Sequence, residues 1–157
     1  MGGVQSSQAF ETLRTIEGCN LFIDIDGTLV SEAETSASFA VKAKVQELKK
    51  SNKLWICSNN NDISRNIDIA RQLGIGIVGV DSKKPSKKLV KEALKVIDSD
   101  NPTLVIGDKC LTDGLFAMRL KCKFLKVKRK TNKKETLIIK AQYYIDNLFS
   151  PLFTYEQ

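Results

Sequence analysis

The chain contains no histidine. Without an imidazole there is no Ser-His-Asp or Cys-His mechanism and none of the usual zinc constellations. Its four cysteines, Cys19, Cys57, Cys110 and Cys122, form no CxxC pair. They read as reduced thiols of a cytoplasmic protein in a reducing compartment. Cys57 and Cys110 read as packing at strand ends, because no histidine is present to favour a thiolate. No apolar run approaches the roughly 18 to 20 residues that span a membrane. Residues 1 to 15 lack the apolar core of a secretory signal. Chemistry in such a chain must run on carboxylates, hydroxyls, amides and lysines. Hard oxygen ligands of that kind favour magnesium over zinc or copper.

The 157 residues, 42% hydrophobic and 27% charged, suit one globular domain with a real core. The expected organisation is a loose N-terminus over residues 1–15, one domain over 16–150 and a tail over 151–157. The opening "MGGVQS" fits the N-myristoylation pattern, with Gly2 as acceptor and Ser6 in place. Net charge is +7, much of it in "RLKCKFLKVKRKTNKK", residues 119–134. That run is either a solvated strand edge and loop or a surface for anionic partners. A phosphoprotein or an anionic phospholipid fits the second reading, with peripheral membrane association through the patch. Nucleic acid is not expected, because aromatics do not alternate with the charges.

Apolar runs alternate with helical patterns from residue 20 onward. "NLFIDI", "KLWICS", "IGIVGV", "TLVIG" and "KFLKV" read as strands. Helical spacing appears in "ASFAVKAKVQELKKS", in "DISRNIDIARQLG" and in "PSKKLVKEALKVID", the last with Pro85 in its first turn. A short helix follows around "DGLFAMRL". A final helix over about 135–149 places Leu137, Ile138, Ala141, Tyr144, Ile145, Leu148 and Phe149 on one stripe. This alternation predicts an α/β fold: a Rossmann-like three-layer α/β/α arrangement with a mainly parallel sheet of about five strands.

In a strand, residues two apart point to the same side, so Asp24 and Asp26 leave the first strand together. The carboxyl edge of an open α/β sheet is where ligands bind. Two adjacent carboxylates repel, so a site that holds both wants a cation or a proton. The second strand ends in Ser58-Asn59-Asn60-Asn61, the third is followed by Lys83-Lys84-Pro85, and the fourth ends in Gly107-Asp108 with Asp113 beyond. Each is ordinary turn chemistry alone. Together they bring carboxylates, a hydroxyl, amides and a lysine to one edge.

The set DIDGT (24–28), Ser58 after "LWIC", Lys84 before Pro85 and "GDKCLTD" (107–113) resembles the haloacid dehalogenase (HAD) superfamily. "SNNN", "KKP" and "GDxxxTD" look most like its capless subfamily III phosphatases. These include phosphatidylglycerophosphate phosphatases, which usually carry Asn where this chain has Gly27, and magnesium-dependent protein-tyrosine phosphatases. The resemblance implies that Asp24 is the nucleophile that forms an aspartyl phosphate and Asp26 the general acid, then base. It implies that Lys84 neutralises nucleophile and phosphate. Thr28 would orient Asp26 and, with Ser58, Asn59 and Lys84, line the phosphate site. Mg2+ would be held by Asp24, Asp26 (through its carbonyl), Asp108 and Asp113, the last as ligand or as support.

The intervals from Asp26 to Ser58 and from Ser58 to Lys84 are each used up by one helix, one strand and their loops. No room remains for a folded cap, and the mouth should be open to a large substrate. Phosphotyrosine in protein is favoured, because an aryl phosphate projects far and phenol, with a pKa near 10, leaves easily. A phospholipid head group is the alternative, weakened by the lack of a clear apolar membrane face. A module that binds phosphorylated partners or membranes without turnover is the remote one.

Overall fold

The computed structural model describes residues 8–133 and 135–153. The Gly2 pattern, Lys134 and the last four positions of the expected tail lie outside the described residues. Five strands form one sheet: β1 (Asn20–Ile23), β2 (Lys53–Ile56), β3 (Gly76–Ile77), β4 (Thr103–Gly107) and β5 (Lys123–Lys126). Their order is β3-β2-β1-β4-β5, and every neighbouring pair is parallel. The helices are α1 (Phe39–Leu48), α2 (Ile63–Leu73), α3 (Lys87–Val96), α4 (Leu115–Leu120) and α5 (Leu137–Phe149). The fold is the expected Rossmann-like α/β arrangement, with no apparent cap among the described residues.

The period of two sorts the strand residues onto two faces. Leu21, Ile23, Leu54, Ile56 and Ile106 pack with α1, α2 and the turn at Phe10–Thr12. Phe22, Val105 and Phe124 pack with α3 and α4 on the other side. Phe22 stacks on Trp55 and meets Phe116 edge-on. Asn20, fully buried in β1, is satisfied by the backbone of Asp98 and Asn101.

Helix starts follow side-chain caps. Ser38, Asp62, Ser86 and Thr136 each accept a hydrogen bond from the backbone amide three residues on. Gly74 closes α2 in the left-handed conformation.

Several expectations need correcting. Pro85 lies one residue before the Ser86 cap, outside α3. The third strand shortens to Gly76–Ile77, although the Val78 amide still donates to Ile56. Phe10 and Leu13 are buried in the larger core, so residues near the start of the chain pack onto the domain. The stripe of α5 faces outward: Leu137 is 83% and Leu148 61% exposed, while Tyr143 and Asp146 face in. Helical spacing shows which residues share a face, not which side the protein takes. Here the inward side is chosen by polar contacts. Asp146 accepts from the amides of Cys110 and Leu111 and lies 3.7 Å from the buried Lys126 ammonium.

Leu21 is fully buried at the centre of the sheet. Leu21→Ala should therefore destabilise the domain by about 2–5 kcal/mol, the range for buried Leu truncations. Urea unfolding checks this through the midpoint; a change under about 1 kcal/mol would contradict the packing described.

Candidate active site

The carboxyl ends of β1 and β4 lie side by side, because these strands pair residue for residue from Asn20↔Thr103 to Ile23↔Ile106. The next residues therefore meet: the Asp24 amide donates to Ile106, and Asp108 follows Gly107. Carboxylate oxygens of Asp24, Asp108 and Asp113 all come within 4.8 Å of one another, and all three residues are buried. Lys84, delivered after β3, reaches into this group from the other side. Its ammonium donates to Asp24 Oδ1 at 2.5 Å and to Asp113 Oδ1 at 2.6 Å.

When all are ionised, three carboxylates and one ammonium leave two negative charges in a buried space. Burial and the neighbouring charges of Asp24 and Asp113 push the Asp108 carboxyl well above the usual carboxylate range. Burial, with the charge of Asp24, pushes Asp113 up to about 6 although Lys84 opposes it. Burial works against the Lys84 ammonium, but Asp113 and Asp24 outweigh it and raise its pKa. Asp108 Oδ1 is buried without a hydrogen-bond partner. A divalent cation fits this donor set: it would partner that oxygen and neutralise the two excess charges.

Asp26 has other surroundings. Arg65 Nη2 donates to its Oδ1 at 2.7 Å and Asn60 Nδ2 to its Oδ2 at 3.1 Å. Burial and the charge of Asp24 raise its pKa, against the pull of Arg65 and Asn60. The two carboxylates that leave β1 together thus face different partners.

Other expected residues act at one remove. Thr28 is fully buried, and its hydroxyl lies 3.4 Å from Asp24 Oδ2, so it supports Asp24 and not Asp26. The Ser58 hydroxyl accepts from the Asn60 amide and lies 3.4 Å from Asn66 Oδ1. The Asn59 side chain clasps the backbone of Lys84 at both its N–H and its carbonyl. Asp113 Oδ2 accepts from the Lys109 amide at 3.1 Å, so both its oxygens are engaged and it fixes Lys84.

Sequence reasoning brought Asn60 to this edge without a role and missed Arg65 and Tyr143. The Tyr143 hydroxyl donates to Asp108 Oδ2, and Lys109 and Arg129 both lie over its ring. For Arg65 a signal existed: it occupies one stripe with the buried Ile69 and Leu73, where a guanidinium needs a partner. Tyr143 gave no comparable signal. Its distance in sequence from Asp108 hides the contact.

Gly27 has φ +82°, and a Cβ there would lie 2.0 Å from Asp108 Oδ2 and 2.7 Å from the Tyr143 hydroxyl. A cleft of about 670 Å³ opens over these groups, bordered by Asp24, Asp26, Asn60, Lys83, Lys84 and Lys109 on one part of its wall and by Leu111, Ile139, Gln142 and Ile145 on another.

An α/β fold with strand-end carboxylates around one lysine defines a class of sites suited to phosphoryl chemistry. The HAD-hydrolase-like family model matches residues 81–150, which supports the HAD superfamily and, generally, phosphohydrolase activity. The matched stretch carries Lys84, Asp108, Asp113, Tyr143 and Asp146. HAD proteins typically use a divalent metal, and the buried aspartates could bind one. No curated protein matches the chain. A crystal structure of an uncharacterized protein from Listeria monocytogenes serotype 4b is similar in fold, with a TM-score of 0.56 and 16% identity. The likeness covers 76% of this chain and 84% of that one.

Gly27→Ala should displace Asp108 or Tyr143 and destabilise the domain by about 1–3 kcal/mol through backbone strain alone. Melting and metal titration together check this; unchanged Mg2+ affinity would contradict the close approach. A second expectation concerns pH. A carboxyl raised in the folded state contributes stability that is complete below its unfolded pKa near 3.8 and lost as pH rises through its folded pKa, about 6 for Asp113. The metal-free protein should lose this contribution between about pH 4 and 6. The rise in Tm on adding Mg2+ should be larger at pH 7.5 than at pH 5, where protons compete for the same oxygens. Equal shifts at both pH values would argue against a metal among these aspartates.

Proposed function

We propose that the protein is a Mg2+-dependent phosphomonoester hydrolase that works through an aspartyl phosphate. The observation that carries the reading is the buried meeting of Asp24, Asp108 and Asp113 with the ammonium of Lys84. Asp24 attacks phosphorus, the bond from phosphorus to the leaving oxygen breaks, and Asp26 gives that oxygen a proton. Water then attacks the aspartyl phosphate, Asp26 takes a proton from it, and the bond between Asp24 and phosphorus breaks to release phosphate. Lys84 offsets the repulsion between carboxylate and phosphate. Arg65 and Asn60 hold Asp26 in place, while Asn59 and Asp113 hold Lys84. Asp24, Asp108 and the Asp26 carbonyl would hold Mg2+, with Asp113 beside them; the bound ion would supply further positive charge at the transferring phosphoryl group.

The absence of a folded cap supports a large substrate. Phosphotyrosine in protein suits an open cleft and a good leaving group. One observation favours a phospholipid head group such as phosphatidylglycerophosphate: the apolar side of α5 is exposed beside the cleft, where an apolar membrane face was not expected. The Asn usual at the Gly27 position in phosphatidylglycerophosphate phosphatases would here force Asp108 or Tyr143 to shift. We place the enzyme in a reducing cytoplasmic compartment, a reading supported by four free cysteines. Burial pushes the Cys57 and Cys122 thiols up to about 12, which suits packing and not nucleophilic attack.

Hydrolysis of para-nitrophenyl phosphate tests the mechanism. Activity should require Mg2+, and Asp24→Asn should lower kcat on the order of a thousandfold or more. Turnover that survives chelation, or Mg2+ binding with no phosphate release, would favour a binding module. The ratio of kcat/KM on phosphotyrosine peptides to that on phosphatidylglycerophosphate vesicles separates the two substrates.

A further inference from the structure

The outer side of α5 is left uncovered by the fold. Ile138 is 71% and Tyr144 68% exposed, and Leu137, Ala141, Ile145 and Leu148 are also exposed. At about 3.6 residues per turn these positions span roughly 120° of the helix surface. A contiguous apolar face of this kind usually marks an interaction site. The helix cannot turn it inward without releasing Tyr143 from Asp108 and Asp146 from the amides of Cys110 and Leu111.

The exposed charges on this helix and in the described part of the loop before it are basic. Within residues 136–152 the charged side chains are Lys140, exposed, and Asp146, buried close to Lys126. Lys128 and Lys133 are exposed in the loop that leads into α5. Much of the remaining basic run is engaged internally: Arg119 donates to the Pro85 carbonyl, Arg129 pairs with Glu135 and Lys130 with Glu11. Ile139, Gln142 and Ile145 of the same helix border the cleft over Asp24 and Asp26. An apolar helix face flanked by lysines is the composition of a helix that lies in a bilayer interface.

We propose that the outer face of α5 seats on an anionic lipid bilayer, with Leu137, Ile138, Tyr144 and Leu148 in the interface and Lys128, Lys133 and Lys140 against the headgroups. The cleft then opens beside the bilayer surface. The placement of substrate rests on the phosphatase reading; the seating does not. A second copy is a poorer occupant, because each chain carries a net charge of +7 and copies repel where anionic lipid attracts.

Sedimentation of the full chain with vesicles tests the proposal. Vesicles of phosphatidylcholine mixed with phosphatidylglycerol should carry the protein down, and phosphatidylcholine alone should not. Salt should weaken this binding without abolishing it, because part of it is apolar. Ile138→Glu with Leu148→Glu should reduce binding about tenfold or more, and Lys133→Glu with Lys140→Glu should reduce it at low salt. Both variants should melt like the parent and hydrolyse para-nitrophenyl phosphate at its rate. Binding that ignores the apolar pair, or is equal on neutral vesicles, overturns the proposal. So does a dimer in light scattering that the apolar pair dissolves, which would assign the face to a second copy. A raised KM for phosphotyrosine peptides without a change on vesicles overturns it in favour of a protein partner. Vesicle binding by a protein that releases no phosphate would sink the phosphatase reading and leave the seating standing.

Discussion

Repulsion among buried carboxylates is the constraint around which this domain is arranged. Asp24, Asp108 and Asp113 share one space, and a single ammonium, that of Lys84, stands among them. The sheet order is what makes the crowding possible. β1 and β4 are neighbours, so acids far apart in sequence leave adjacent strand tips. The chain yields volume to this group at Gly107 as well as at Gly27, since a Cβ at 107 would lie 2.3 Å from Asp113. Such an assembly persists only where the charged form has a partner: a proton, an ammonium or a metal.

The same constraint separates the tasks of the first two aspartates. Asp24 turns toward Lys84, while Asp26 turns to Arg65 and Asn60. Two identical side chains two residues apart thereby acquire distinct electrostatic surroundings, the difference on which the proposed roles of attack and proton transfer rest. The supporting groups come from loops and helices around the sheet edge: Asn59 on the Lys84 backbone, Thr28 on Asp24, Tyr143 on Asp108.

Much of this was legible beforehand. The alternation of runs gave the parallel sheet, and the polar residues at four strand ends gave its working edge. These signals are local: period, cap and turn chemistry can be read from a few residues at a time. The failures are contacts between distant segments. Arg65 reaches Asp26 from α2, and Tyr143 reaches Asp108 from the last helix; spacing marks Arg65 as a buried cation in need of a partner but names no partner for either. The direction of α5 is hidden from local spacing for a related reason. Its apolar residues share a face as periodicity demands, but Tyr143 and Asp146 make the contacts that decide which face turns inward. Pro85 precedes the first turn by two positions, because the Ser86 hydroxyl accepts from the Leu89 amide and takes the cap.

One consequence follows from the two-sidedness of α5. Its inward residues Tyr143 and Asp146 brace the acidic edge, while Leu137, Ile138, Tyr144 and Leu148 on its outer side do not line the cleft. The domain thus divides labour between strand tips that hold the acidic cluster and one helix whose outer residues are exposed beside the cleft. Outward positions on that helix are free to drift toward new surroundings while the acidic edge beneath stays fixed, so chains that keep this edge can differ in the surface they present beside it.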